Sequence, residues 1–315
     1  MDRILTVSCS PHIATKKLTR GIMLDVIIAL LPAVVAGALI FGARALSVVF
    51  VSIVSAVAAE YLFNLSTKRE QTVSDLSAVV TGLLLGLSLR ADIPLWQCVL
   101  GSVFAIVVVK CLFGGLGSNF ANPAICARVF LLLSFTSTVS GGLIPTVSGA
   151  TDIVSGATPL VALANGARLP SLTDMLIGLR PGAIGESCAI ALVIGFLYLT
   201  LRGVIHFEVP IIFVGTVFLL SLIADNSFTD ATYQILSGGL IISAVFMATD
   251  YSSTPKNRSG KRLFAFGCAL ITFLIRRFGN YPEGVSFAIL FMNLLSPYIE
   301  KWTAAAPLGV TKNEK

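Results

Sequence analysis

Ser-Gly-Ala-Thr occurs twice in a stretch rich in glycine, serine, threonine and proline, ending at Thr151 and at Thr158. Only the second copy follows an acid. It reads Asp152-Ile-Val-Ser155-Gly156-Ala157-Thr158, where the first copy has Pro145 in the aspartate's place. An exposed threonine hydroxyl in such a setting is an acceptor for phosphoester chemistry. Gly156 and Ala157 leave space for a bulky group and for the enzyme that installs it. The Asp152 carboxylate is placed to hold a metal or to position a phosphate during transfer. On this reading Thr158, not Thr151, is the acceptor.

A second set of residues suits ion handling. Asp25, Glu60, Asp75, Glu186, Glu208, Asp225 and Asp250 lie in or near apolar runs, where an acid is costly and a default functional candidate. Asp25 and Asp75 are the better candidates for an ion path, each a few residues inside its run. Pairing with Arg20 and Arg69 at the interface is the equally weighted alternative. The six cysteines, Cys9, Cys98, Cys111, Cys126, Cys188 and Cys268, stand singly without C-x-x-C, so they read as small packing residues rather than a cluster cage. His12 and His206 read as solvated or lipid-facing. Neither G-x-G-x-x-G nor a Walker A loop occurs in a strand-to-helix context, so no NAD site of the usual kind is expected.

The elements that must position these residues follow from composition. Of 315 residues, 56% are hydrophobic and 12% charged, about half the charge of a soluble domain. That excludes a soluble enzyme. The net charge of +6 is scattered between apolar runs rather than gathered in a patch, which argues against nucleic acid. The expected architecture is an all-α integral membrane protein of about ten transmembrane helices. Its spans run over 21–41, 45–65, 73–89, 93–113, 122–138, 184–202, 207–224, 232–249, 262–278 and 282–300. The organisation is a cytoplasmic leader (1–20), one transmembrane half (21–138), a long loop (139–183), a second half (184–300) and a tail (301–315). The leader is polar and no small-residue cleavage site follows before the second span, so it does not read as a signal peptide.

Basic residues accumulate on the cytoplasmic side. With the N-terminus inside, the cytoplasmic tally includes Lys68, Lys110, Arg202 and Lys261, whereas Arg44, Arg90, Arg168, Arg180, Arg276 and Arg277 fall outside. Arg128 stays within the fifth span, where snorkelling is its plain reading. Both termini are then cytoplasmic, and the loop 139–183 is extracytoplasmic. Ser171-Leu-Thr-Asp174 reads as a capping box for a short helix within that loop. Gly82 and Gly86 form G-x-x-x-G, a mark of close helix packing. Phe113-Gly114 before Pro123 and Phe278-Gly279 before Pro282 suggest either two inverted five-helix repeats or two unrelated Gly-Pro helix starts.

Asp-x-x-Ser-Gly-Ala-Thr resembles the acceptor motif on which flavin transferases esterify FMN to threonine. Together with the ten-span pattern, the Gly114-Gly115-Leu-Gly117-Ser-Asn119-Phe-Ala-Asn122-Pro123-Ala124 stretch and the Ser155-Gly-Ala-Thr158-Pro159-Leu160 loop, it makes nearly the whole chain resemble the family of D subunits of Rnf electron transport complexes. The close relative is the B subunit of sodium-pumping NADH:quinone reductases, whose N-terminal region is usually longer. The resemblance implies a membrane flavoprotein in a relay between ferredoxin and NAD, coupled to Na+ or H+ transport in the bacterial cytoplasmic (inner) membrane. It also implies FMN bound covalently at Thr158, a flavin transferase for maturation, and the A, B, C, E and G subunits as partners. Asn122 capping a helix with Pro123 just inside makes a positive helix end, a place for an anion or a second, non-covalent flavin such as riboflavin; simple capping is the plainer reading. A secondary permease would also suit buried acids and inverted halves, but it leaves the Asp152-to-Thr158 motif without a use.

Overall fold

The computed structural model describes residues 19–143, 155–156, 158–165, 169–279 and 283–304. Its architecture is helical, with one two-residue β pairing. The first half comprises α1 (Thr19–Phe41), α2 (Ala43–Ser66), α3 (Ser77–Leu87), α4 (Leu95–Val103, continued by a π-helical stretch to Cys111), α5 (Pro123–Ser134) and α6 (Thr136–Val139). In the connecting segment β1 (Gly142–Leu143) pairs antiparallel with β2 (Ser155–Gly156), and two short helices follow, α7 (Pro159–Ala164) and α8 (Leu172–Ile177). The second half comprises α9 (Ala189–Leu201), α10 (Glu208–Asp225), α11 (Phe228–Leu236), α12 (Leu240–Ile242, continued by a π-helical stretch to Met247), α13 (Arg258–Phe278) and α14 (Val285–Trp302).

Burial is arranged for an apolar solvent. Leu39 is 82% exposed and Leu201 87%, whereas Lys110 is 2% exposed and Glu60 1%. Helices that are apolar on all sides leave leucine facing outward when lipid, not water, surrounds them.

Helices occupy each of the ten expected segments, but they are not ten full spans. Among the described residues, α1, α2 and α10 are long and apolar enough to cross a bilayer, and the pair α11–α12, bent by 62°, is a fourth if counted as one broken span. The expected span 73–89 is corrected: α3 has 11 residues, a rise of roughly 16 Å against a hydrocarbon core of about 30 Å. The expected spans 122–138 and 232–249 are likewise broken, at Phe135 and around Gly238.

Local chemistry explains these breaks. Before α3, a 3-10 turn over Val73–Asp75 is followed by Leu76 in the left-handed region, φ 65°, and the Asp75 carboxylate accepts from the Ser77 N–H at 2.8 Å. Before α12, Gly238 and Gly239 take φ values of 65° and 66°. Both short helices therefore start from a left-handed corner, which a straight helix cannot contain. The glycines of α3 do what their spacing suggests: a Cβ on Gly82 would lie 2.6 Å from the Ser52 carbonyl oxygen, and one on Gly86 2.9 Å from the Val49 Cα, so α3 lies backbone-close on α2.

Helix pairings run in parallel in the two halves. In the first, α2 packs on α3 and α4; in the second, α10 packs on α11 and α13. Between the halves, α1 packs on α9, and α5 on α14.

Candidate functional site

Ser155 and Gly156 are held by the β pairing in register with Leu143 and Gly142, so the motif is tied to the chain leaving α6. That chain is fixed in turn by Arg90, which donates to the Ser140 carbonyl at 2.6 Å and is neutralised by Asp92. Thr158 then takes an extended conformation as the N-cap of α7, with Pro159 at the first helical position. Proline there has the helical φ already and lacks an N–H that would be unpaired. The Thr158 side chain makes no capping hydrogen bond.

The expected exposure of the Thr158 hydroxyl is corrected. The residue is 4% exposed, and its Oγ1 is buried with no hydrogen-bond partner among the described residues. Burial follows from the packing of α7 on α11, with Leu163 joining Met175, Ala189, Tyr233 and Leu236 in a small apolar cluster. A buried hydroxyl without a partner costs about 1–3 kcal/mol. An ester at Oγ1 removes the unpaired donor, so the site fits a covalently attached group. Asp152 and Ala157, and the rival Thr151, lie outside the described residues. The Ser171 cap is present: its Oγ accepts from the Asp174 N–H at 3.2 Å and donates to Asp174 Oδ2 at 2.6 Å, starting α8.

Beside α7 opens a cleft of about 480 Å3, walled by Leu160, Val161, Asp225, Gln234, Arg276 and Arg277 among others. This is within the range of small-molecule sites, about 300–1,000 Å3. Arg277 is ion-paired with Asp225 at 2.7 Å. Arg276 instead donates to carbonyls at the end of α11, to Gln234 at 2.6 Å and Ser237 at 3.0 Å, and its buried Nε has no partner. Among the described residues no carboxylate lies within ion-pair distance of Arg276.

Both ion-path candidates have protein partners. Asp25 accepts from Tyr198 Oη at 3.0 Å and from Arg202 at 3.2 Å, so its cation is Arg202 of the opposite half and not Arg20. Asp75 does not pair with Arg69, which donates to the Cys111 carbonyl; its Oδ1 accepts from the Ser77 N–H and hydroxyl. Asp75 therefore ties down the turn just before α3, whose N-cap is Leu76, because the chain breaks there instead of continuing as a span.

Three buried cations depart from the sequence expectation. Lys110, counted with the cytoplasmic loops, is enclosed and ion-paired with Glu60 at 2.7 Å, and it also donates to the Ser77 hydroxyl at 2.5 Å. Thr72 donates to the same Glu60 oxygen at 2.6 Å, while Oε2 of Glu60 is buried without a partner. Arg128 does not snorkel but holds both Glu186 at 2.7 Å and Glu283 at 2.8 Å. Arg180, assigned to the outer loop, is 3% exposed and donates to the Glu186 carbonyl at 2.6 Å. For Arg128 the signal is present, since a lone cation within an apolar run must pair or leave it; Lys110 and Arg180 stand at the edges of their runs, where sequence does not separate a buried cation from a loop one.

Asn122 is a cap as expected: its Oδ1 accepts from the N–H groups of Ala124 and Ile125 at 3.0 and 3.3 Å. It lines a cavity of about 90 Å3 together with Asn119, Ser77, Lys110, Thr249 and Asp250, and Oδ1 of Asn119 is buried without a partner. Polar groups of both amide and charged type thus converge at the start of α5. A cavity of this volume is water-sized rather than ring-sized, so a flavin there requires the surrounding helices to part.

Comparison with known proteins gives a full-length match. Residues 6–309 fit the model of the NQR2, RnfD, RnfE family. The chain is 46% identical to the D subunit of the Na+-translocating ferredoxin:NAD+ oxidoreductase complex of Acetobacterium woodii, covering 99% of this chain and 97% of that one. It is 38% identical to the D subunit of the proton-translocating ferredoxin:NAD+ oxidoreductase complex of Clostridium ljungdahlii, over 98% and 97% of the two chains. It is 32% identical to the D subunit of the ion-translocating oxidoreductase complex of Halorhodospira halophila, over 96% and 95%.

Proposed function

Because this chain belongs to the NQR2, RnfD, RnfE family, we propose that it is the membrane flavoprotein subunit of an ion-translocating ferredoxin:NAD+ oxidoreductase complex, carrying FMN esterified to Thr158. The observation that carries the reading is Thr158 itself, a buried hydroxyl with no hydrogen-bond partner, at the head of a proline-led helix beside a ligand-sized cleft. A permease has no use for that arrangement.

When bound, the flavin takes up and releases one or two electrons, and so links hydride chemistry to one-electron centres. The chain's own residues tether, enclose and orient it. Thr158 supplies the ester oxygen; Ser155 and Gly156 fix the approach of the chain through the β pairing; α7 seats the tether against α11. The cavity at Asn119 and Asn122, water-sized and with Asn122 already engaged as a helix cap, does not fit a second, non-covalent flavin, and none is assigned there.

In this reading the chain sits in the bacterial cytoplasmic membrane with both termini inside and Thr158 outside, among the A, B, C, E and G subunits, after maturation by a flavin transferase. The halves form an inverted repeat, which the two left-handed helix starts, at Leu76 before α3 and Gly239 before α12, support. Asp25 and Asp75 remain candidates for the ion path. The relatives' names include both sodium and protons, so the coupling ion is read by uptake of radioactive sodium into vesicles.

The test is direct. The full-length chain, produced in cells with a flavin transferase, gives a fluorescent band under ultraviolet light after denaturing electrophoresis. Thr158→Ala abolishes the fluorescence and Thr151→Ala preserves it. A dark wild-type band sinks the proposal, and the reverse pattern assigns the acceptor to Thr151.

A further inference from the structure

We infer that the cleft between α7, α10, α11 and α13 houses the isoalloxazine ring of the group carried on Thr158, and that Arg276 is the residue that sets the ring's affinity for electrons. This rests on the attachment reading above.

Three observations point the same way. The first is reach: Thr158 caps α7, and Leu160 and Val161, within the next helical turn, already form the cleft wall. One turn rises about 5 Å. The second is the seam between α7 and Arg276. At Gly238, φ 65°, an added Cβ would overlap Leu160 Cδ1 and lie 3.0 Å from Arg276 Nη2, so the tether helix and the guanidinium meet across one glycine. The third is the unspent donor. Arg276 uses Nη1 and Nη2 on carbonyls, yet Nε is buried without a partner among the described residues, and none of their carboxylates lies within ion-pair distance of it, Glu283 and Glu186 acting only from farther off and Asp230 lining the cleft without contact. Its neighbour Arg277 is by contrast neutralised by Asp225.

A cation here acts on the reduced ring. Uptake of two electrons and one proton leaves the isoalloxazine with one negative charge, and a guanidinium in a partly desolvated wall stabilises that state more than the neutral oxidised ring. Arg276 is thus a positioning and field-setting residue. Capping the end of α11 is its structural role, and a structural role alone does not move a redox potential.

The experiment uses the full-length chain matured by a flavin transferase, with dithionite as reductant and the flavin absorbance as readout. Arg276→Gln shifts the midpoint potential to a more negative value, and Arg276→Lys, which keeps the charge, restores it towards wild type. Gel fluorescence shows that both variants still carry flavin. An unchanged midpoint in a fluorescent Arg276→Gln protein overturns the inference and leaves the attachment standing; a dark wild-type band overturns the attachment instead. Should Arg276→Gln fail to fold, Val161→Trp fills the cleft without touching the arginine. It makes the flavin more readily quenched by iodide, and unchanged quenching overturns the inference. Lipid that co-purifies with wild type and is lost from Arg276→Gln, with the midpoint unmoved, assigns the cleft to a lipid headgroup and overturns it as well.

Discussion

Lys110 and Glu60 illustrate how single residues behave in a lipid-solvated protein. Each is no more than 2% exposed, each would be expensive alone, and together they satisfy most of one another's requirements with help from Ser77 and Thr72. Lys110→Met leaves a buried carboxylate unpaired and destabilises the protein by about 3–5 kcal/mol, whereas the double variant Glu60→Gln, Lys110→Met recovers most of that loss. Thermal unfolding of the four proteins in detergent measures the difference, and a double-variant loss equal to the sum of the two single losses would show that the pair is not coupled. Asp25→Asn, by contrast, leaves the unfolding temperature nearly unchanged, because its partner Arg202 has its side chain 58% exposed and is well solvated. The proposed acceptor motif can be read in sequence because all its members lie within seven residues. The Lys110 pairing is not, since its partner is 50 positions away and nothing local distinguishes a buried lysine from one at a loop edge.

At the scale of elements, small residues decide which helices touch. Gly82→Ala places a Cβ 2.6 Å from the Ser52 carbonyl and 2.7 Å from the Ile53 Cα, backbone atoms that move only if α2 and α3 separate, so it destabilises by about 1–3 kcal/mol. Gly215→Ala, in the middle of α10 with open space around it, instead stabilises by about 0.5–1 kcal/mol. The same unfolding measurement checks both, and equal effects would refute the packing argument. Hydropathy marks where apolar helix occurs, and helices are found in all of those segments. It does not mark where helices break, because the signals are a single aspartate ending a 3-10 turn and two adjacent glycines. Neither lowers the apolar content of a twenty-residue window enough to show. The capping box at Ser171, which depends on residues three apart, is readable.

Across the whole molecule, the charges sort into two populations. In the proposed topology the solvated cations near helix ends carry the orientation signal, whereas Arg90, Lys110, Arg128 and Arg180 are buried and carry none. Removing them from the tally still leaves the excess on the side of the termini. A single cysteine at exposed Ser171, in a chain with its natural cysteines replaced, is therefore labelled by an impermeant maleimide from outside intact cells, and one at exposed Thr67 only after permeabilisation. The opposite labelling inverts the topology and with it the side on which Thr158 lies. The Glu60–Lys110 pair also bears on how the chain is made. α2 leaves the ribosome before α4, so Glu60 reaches the membrane before Lys110, its partner in the last turn of the α4 stretch, and an unpaired ionisable group in lipid is costly. The expected order is that α2, with Glu60 unpaired, stays beside the translocon until Lys110 arrives and the two helices enter the membrane together. Biogenesis is thereby ordered by a contact usually counted only as part of the finished fold.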